Sequence, residues 1–121
     1  MNIILGNTKK IHFVGIGGIG MSGMAEFLKN HNFIISGSDI KLSNRTKYLK
    51  SIGIKIFIGH KKNNVNNSDL IVYSSAVPQD NPELLQGKKN KIPVIKRAEL
   101  LGELIKIKDI SIAVAGTHGK T

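Results

Sequence analysis

A glycine-rich turn between an apolar run and a helical pattern constrains this chain more than any other stretch. The apolar run covers residues 11–14, and Gly15, Gly17 and Gly20 follow it in the spacing G-x-G-x-x-G. In a strand–turn–helix unit these glycines allow a tight turn, close approach of the backbone to a phosphate, and close packing of helix on strand. The N-terminus of the new helix favours an anion. Because glycine clusters also serve ordinary tight turns, the rest of the chain has to decide between the two interpretations.

Apolar runs alternate with helical patterns along most of the sequence. This alternation predicts an α/β fold, Rossmann-like, with a doubly wound, mainly parallel sheet of about five strands and helices on both faces. Ligands of such sheets bind beyond the carboxyl ends of the strands where strand order reverses, which we expect between the first and fourth strands. We expect strands at 11–14, 33–39, 54–58, 70–73 and 94–95. We expect helices at 18–29, at 44–52 with Ser43 or Asn44 as its cap, at 98–105, and after a cap at Asn81 with Pro82 at the first helical position.

Polar side chains at the predicted strand ends are candidates for ligand binding. Asp39 lies 19 residues after Gly20, where dinucleotide folds place the acid that accepts hydrogen bonds from ribose hydroxyls. The competing interpretation of Asp39 is a turn or helix-cap aspartate. Ser74 and Ser75 lack the surroundings of a hydrolase nucleophile, so we expect them to bind polar ligand groups. His60 follows the third strand, and a lone histidine near a strand end is more often structural or simply exposed than a ligand-binding residue.

The composition excludes several classes of function. The chain has no cysteine, so thiol nucleophiles, zinc thiolates and disulfides are excluded. No apolar run is long enough to span a membrane, and we expect a cytoplasmic protein without a membrane partner. The net charge is +10, but the lysines are scattered and do not interleave with aromatic residues. We therefore expect a solvated basic surface rather than a nucleic-acid site.

A second phosphate signal lies at residues 116–121, after an apolar run at 110–115. The last three residues match the end of a P-loop, in which Lys120 reaches the terminal phosphates of a nucleotide and the Thr121 hydroxyl ligates Mg²⁺. The general motif has a glycine where this chain has Val114. The sequence stops at Thr121, so the helix that would complete the cradle is missing and we expect weak ATP binding by these 121 residues.

Four stretches together resemble the bacterial Mur ligases: residues 12–25, 36–39, 73–78 and 116–121. The resemblance covers nearly the whole chain in the right order, and it accounts for Val114 because these ligases use a shorter phosphate loop. It implies three domains in the complete enzyme. Residues 1–109 would form the Rossmann-like domain that binds the UDP-sugar, and residues 110–121 would begin a truncated ATPase domain. The amino-acid site would lie outside this sequence.

The resemblance also implies an activity and a role for each site residue. The lactyl carboxylate of UDP-N-acetylmuramate would be phosphorylated at the expense of ATP with Mg²⁺, and the amine of L-alanine would displace the phosphate. The substrate-binding residues would be Gly15, Gly17, Gly18, Gly20 and Ser22 near the diphosphate, Asp39 at the uridine end, and His60, Ser74 and Ser75 at uridine or diphosphate. The ATP-binding residues would be Gly116, Thr117, His118, Gly119, Lys120 and Thr121, with Lys120 catalytic and Thr121 on Mg²⁺.

Three alternatives remain open at this point. The first is an NAD-binding Rossmann domain of a dehydrogenase or regulatory module, which shares the glycine turn and Asp39 but leaves residues 73–78 and 116–121 unexplained. The second is the related ligase that recycles cell-wall peptides onto UDP-N-acetylmuramate. The third, a basic nucleic-acid-binding module, is the least favoured. Under the Mur ligase interpretation we expect no ligase activity and no tightly bound cofactor in the 121 residues alone.

Overall fold

A computed structural model describes residues 6–106, which form one five-stranded sheet with helices on both faces. All four strand pairings are parallel, and the strand order is β3-β2-β1-β4-β5. The α/β, Rossmann-like prediction is confirmed. The strands are β1 (Lys10–Val14), β2 (Ile34–Asp39), β3 (Lys55–Ile58), β4 (Leu70–Tyr73) and β5 (Val94–Lys96). The helices are α1 (Met21–Asn30), α2 (Asn44–Ser51), α3 (Pro82–Lys89) and α4 (Arg97–Lys106), with a short 3₁₀ helix at Lys62–Val65.

The strand order reverses at β1, as the sequence predicted. β1 pairs with β2 on one side and with β4 on the other, and Val14 is level with both Ser38 and Tyr73. The carboxyl ends of these three strands therefore lie at the same height. The loops that follow them open side by side, which is where parallel sheets bind ligands.

The two faces of β1 bury different chemistry. Ile11 and Phe13 point to one face, where they pack with buried residues of α1, α2 and α4. His12 and Val14 point to the other face, since successive side chains of a strand alternate. Val14 packs there with Leu84 of α3 and Val65 of the 3₁₀ helix. A fully buried histidine, His12, thus lies beside this second apolar cluster and needs polar partners of its own.

Local signals explain where most helices begin. Ser43 caps α2 through a reciprocal pair of hydrogen bonds with Thr46, and Asn81 caps α3 with Pro82 in its first turn, both as expected. The predicted start of the first helix at Gly18 is wrong, because α1 begins at Met21. Gly20 adopts a left-handed conformation with φ of 81°, so Gly18 to Gly20 belong to the turn.

The described residues set limits on other kinds of site. Between residues 6 and 106, no helix combines the length and apolar character needed to cross a membrane. Over the same range, no group of three or more histidine, cysteine, aspartate or glutamate side chains could hold a metal ion. The expected strand at 110–115 and the phosphate loop at 116–121 lie outside the described residues.

Candidate functional site

A cavity of about 290 Å³ opens at the carboxyl edge of the sheet, at the point where strand order reverses. Loops that follow β1, β2, β3 and β4 all contribute to its wall, so it is the crevice that this topology predicts. Five of the predicted substrate-binding residues meet in its lining. The lining residues are Gly15, Gly18, Asp39, Ile40, His60, Ser74, Ala76, Val77, Pro78 and Asn81.

In the first half of the glycine turn, the backbone N–H groups donate hydrogen bonds to acceptors within the protein. The N–H groups of Gly15 and Ile16 both donate to the carbonyl of Ser38, at 2.9 and 3.0 Å, and that of Gly18 donates to Gly15. By contrast, the N–H groups of Ile19 and Gly20 have no protein acceptor among the described residues. These two donors lie at the N-terminus of α1. They are the part of the turn that can bind an anion.

Asp39 fixes the glycine turn to the end of β2. Its Oδ2 accepts a hydrogen bond of 2.8 Å from the Gly17 N–H, and its Oδ1 accepts one of 2.8 Å from Ile40. A Cβ at Gly17 would come within 2.7 Å of Oδ2, so this contact requires glycine. A carboxylate has about four acceptor sites, and two of them remain after these bonds. Asp39 therefore has a structural role and still presents acceptors to the cavity that it lines.

A buried carboxylate lies behind the cavity, at Glu83 of α3. Its side chain is fully buried, and four donors converge on it. Oε1 accepts from His12 Nε2 at 2.7 Å and from the Ser38 hydroxyl at 2.7 Å. Oε2 accepts from the Lys61 backbone N–H at 3.0 Å and from Asn64 Nδ2 at 2.8 Å. An acceptor-only group with two oxygens satisfies all four donors, which explains an ionised glutamate in this position.

His60 connects this buried cluster to the cavity. Its Nδ1 lies 2.8 Å from the Ser38 hydroxyl and 3.6 Å from Oε2 of Glu83. The ring lines the cavity, and 14% of its side chain is exposed. The isolated histidine of the sequence is thus held by two buried polar groups, one on β2 and one on α3.

The pKa of Glu83 is held below the ordinary value of 4.5. Burial alone would raise it, because a charged carboxylate loses its hydration in the interior. The hydrogen bond and the charge of His12, with the hydrogen bonds from Ser38 and Asn64, more than offset burial. Glu83 is therefore ionised in the folded protein over the physiological pH range.

This shift predicts how stability depends on pH. A carboxylate whose pKa is lower in the folded chain than in the unfolded chain stabilises the fold at pH values above 4.5. We expect that contribution to disappear as the pH falls from 4.5 through the lowered pKa of Glu83. Urea unfolding of the wild type and of Glu83→Gln, measured from pH 7 to pH 3, tests this. The difference in unfolding free energy between them should shrink toward acid, and a constant difference would contradict the assignment.

Ser74 lies in the cavity wall, and the other predicted serines and glycines lie around the cavity. Ser74 Oγ lines the cavity and accepts a hydrogen bond from the Ala76 N–H, whereas Ser75 is exposed and outside the lining. Ser22 is buried in the first turn of α1, where its hydroxyl accepts a 2.9 Å hydrogen bond from Arg45. Gly17 and Gly20 belong to the turn but not to the lining.

Arg97 is a site residue that sequence reasoning missed. It is the first residue of α4, directly after β5, and its guanidinium packs against Gly20. A Cβ at Gly20 would lie 3.2 Å from Arg97 Cζ, so the cation is beside the open donors of the turn. The guanidinium has no hydrogen-bond or ion-pair partner within residues 6–106. The only sequence signal was a basic residue directly after a short strand.

The chain is similar to known proteins in both sequence and fold. Residues 10–108 match the family described as "Mur ligase family, catalytic domain". A curated UDP-N-acetylmuramate–L-alanine ligase from Clostridium botulinum (strain Kyoto / Type A2) is 53% identical over 99% of this chain and 26% of its own length. The chain thus spans about a quarter of the length of the curated relatives that it matches.

Solved structures of two ligases share the fold. The UDP-N-acetylmuramate-alanine ligase of Thermotoga maritima superposes with a TM-score of 0.77 at 39% identity, over 80% of this chain and 23% of that one. A UDP-N-acetylmuramate:L-alanyl-gamma-D-glutamyl-meso-diaminopimelate ligase from Neisseria meningitides gives a TM-score of 0.72 at 26% identity, over 79% of this chain and 31% of the other.

Proposed function

This chain belongs to the Mur ligase family, and from that premise we propose that residues 1–109 form the domain that binds UDP-N-acetylmuramate. The whole enzyme would be a cytoplasmic, ATP-dependent ligase that joins L-alanine to the lactyl carboxylate of that substrate during peptidoglycan synthesis. The names of the curated relatives support the substrate and the amino acid. The observation that carries the proposal is the pair of open N–H donors at Ile19 and Gly20 beside the cavity.

The diphosphate of the substrate fits the turn at the N-terminus of α1. The open donors of Ile19 and Gly20 and the positive end of the α1 dipole attract an anion. Arg97 adds a full positive charge against Gly20 without being neutralised by a carboxylate of the described chain. Gly15 and Gly18 lack side chains that would block the cavity mouth. We therefore assign the diphosphate to this corner and the nucleoside to the cavity lined by Asp39, His60 and Ser74.

The chemical step belongs to sequence beyond the described residues. We propose that Gly116 to Lys120 hold the phosphates of ATP, that Lys120 stabilises the charge that develops on the transferred phosphoryl group, and that Thr121 ligates Mg²⁺. ATP would supply the phosphoryl group that activates the lactyl carboxylate, with release of ADP. The amine of L-alanine would then attack the acyl carbon, form the amide bond and displace phosphate. This proposal rests on the sequence pattern and on family membership. The role of residues 1–109 is to hold the UDP end of the substrate.

Titration calorimetry of the 121-residue chain distinguishes this function from NAD binding. We expect UDP-N-acetylmuramate and UDP to bind more tightly than NADH. In Arg97→Ala the affinity for UDP should fall about tenfold, the size of a lost charge-assisted hydrogen bond, while the affinity for uridine should change little. Lys96→Ala, which removes an exposed neighbouring cation, is the matched control. Tighter binding of NADH than of the UDP ligands would reject the proposal.

A further inference from the structure

We propose that Glu83 and Ser38 fix the tautomer of His60, so that Nε2 of His60 faces the ligand as a hydrogen-bond acceptor. We name the chain of groups from Glu83 through Ser38 to His60 the tautomer relay. The inference rests on the proposed function for the identity of the ligand. It assigns positioning roles to Glu83 and Ser38, and it limits neutral His60 to ligand groups that donate a hydrogen bond.

The distances along the tautomer relay fix the position of each proton. The Ser38 hydroxyl has one proton and lies 2.7 Å from Oε1 of Glu83, an ionised acceptor that cannot donate. Ser38 must therefore donate to Glu83, because two acceptors at that distance without a proton between them would repel each other. Ser38 Oγ is then the acceptor for His60 Nδ1, 2.8 Å away. In neutral His60 the ring proton is consequently on Nδ1, and Nε2 carries a lone pair.

This tautomer selects the kind of ligand group that His60 can recognise. Nδ1 is occupied by Ser38, so Nε2 is the ring nitrogen left for a group in the cavity that His60 lines. A lone pair on Nε2 accepts from a hydroxyl or an N–H and repels phosphate oxygens. We therefore assign neutral His60 to a donor of the nucleoside, a ribose hydroxyl or a base N–H. The diphosphate remains with Ile19, Gly20 and Arg97.

Replacing Glu83 with glutamine should reverse the tautomer. The Lys61 N–H is a fixed donor, and Asn64 Nδ2 is fixed because it also donates to the Gly59 carbonyl at 3.2 Å. The amide oxygen of the new side chain must therefore face those two donors, and its NH₂ group must face both partners of Oε1, Ser38 and His12 Nε2. His12 accepts there when its own ring proton is on Nδ1. Ser38 then accepts from the amide, and its own proton is free to point to His60 Nδ1. His60 would move its proton to Nε2.

Nitrogen-15 NMR of the imidazole rings at pH 8 measures the tautomer directly and without a ligand. We expect the Nδ1–H form of His60 in the wild type, the Nε2–H form in Glu83→Gln, and loss of the Nδ1–H preference in Ser38→Ala. Ser36→Ala is the matched control, because Ser36 is on the same strand and bonds the other histidine of the cluster, His12, at 2.8 Å. The His60 signals of Ser36→Ala should match those of the wild type. An Nε2–H form in the wild type, or an unchanged His60 in both relay variants, would overturn the proposal.

A double-mutant cycle with UDP tests whether Ser38 acts through His60. We expect Ser38→Ala to weaken UDP binding about fivefold, the size of one neutral hydrogen bond, and to have no further effect in a His60→Ala background. Equal losses in both backgrounds would assign Ser38 a structural role and refute the positioning role. If the wild type did not bind UDP at all, the proposed function would fail, and the NMR result would still decide whether the tautomer relay exists.

Discussion

We expect Glu83→Ala to lower the free energy of unfolding by about 4 kcal/mol at pH 7, the largest loss of any single substitution considered for this chain. Glu83 is fully buried and accepts from four donors, two of them on side chains of β1 and β2. Alanine would leave His12 and Ser38 without their acceptor in the interior, and each unsatisfied donor costs about 1–3 kcal/mol. Urea unfolding followed by circular dichroism measures the loss.

A matched control for this substitution is Glu103→Ala in α4. Glu103 makes an exposed ion pair with Lys106 at 3.4 Å, one turn apart on the same helix. Exposed pairs of this kind contribute about 0–1 kcal/mol, so the control should leave stability nearly unchanged. A loss below about 1 kcal/mol for Glu83→Ala would mean that water satisfies the four donors, and the buried cluster would not be a stabilising feature.

The fold was predictable because each element of this sheet is encoded locally. The run at 11–14 has the length and apolar character of a buried parallel strand, and Ser43 and Asn81 are strong helix caps that form as expected. The reversal of strand order at β1 was expected from a doubly wound arrangement, in which the first three strands run outward in one direction and the fourth begins the other half. The start of the first helix was the error, because a left-handed glycine at position 20 extends the turn and sequence spacing does not reveal backbone dihedral angles.

Part of the candidate site was predictable for the same reason. Gly15, Gly18, Asp39, His60 and Ser74 all follow strands of one parallel sheet, and such strand ends meet at one edge, where the cavity lies. Their roles in binding stay predictions. Spacing could not decide whether Asp39 is a ligand-binding acid or a structural turn residue. Its carboxylate accepts a hydrogen bond from the glycine turn and also lines the cavity.

Glu83, His12 and Arg97 could not be predicted from local pattern. Glu83 and His12 meet across 71 positions of sequence, and each alone is a single polar residue on the buried side of its element. The informative signal is that both segments are buried, since a buried charge requires partners. Arg97 reaches Gly20 only because β5 is beyond β4 on the same side of β1, which depends on the strand order.

Gly37→Ala should be the second most damaging substitution, with a loss of about 3 kcal/mol in unfolding free energy, at the upper end for overpacking. Gly37 is buried in β2, directly beneath the side chain of Ile16. A Cβ at position 37 would overlap Ile16 Cδ1 and come within 2.7 Å of Ile16 Cβ. A rotation of Ile16 can relieve the first contact, but the second involves an atom fixed to the backbone. The backbone of the glycine turn must therefore move.

This displacement couples stability to binding. Ile16 is fully buried and lies between Gly15 and Gly17, so its movement shifts the backbone N–H donors of the turn. Gly37→Ala should therefore weaken UDP binding as well as lower the free energy of unfolding.

Gly102→Ala is the matched control, because a Cβ at this helix position meets nothing within 4 Å. It should be neutral or stabilise the fold by up to about 1 kcal/mol. In an Ile16→Gly background the penalty of Gly37→Ala should fall by about 1 kcal/mol or more, because every Ile16 side-chain atom near position 37, Cβ included, is then gone. Additive losses in that cycle would show that Gly37 is required for a reason other than the packing of Ile16.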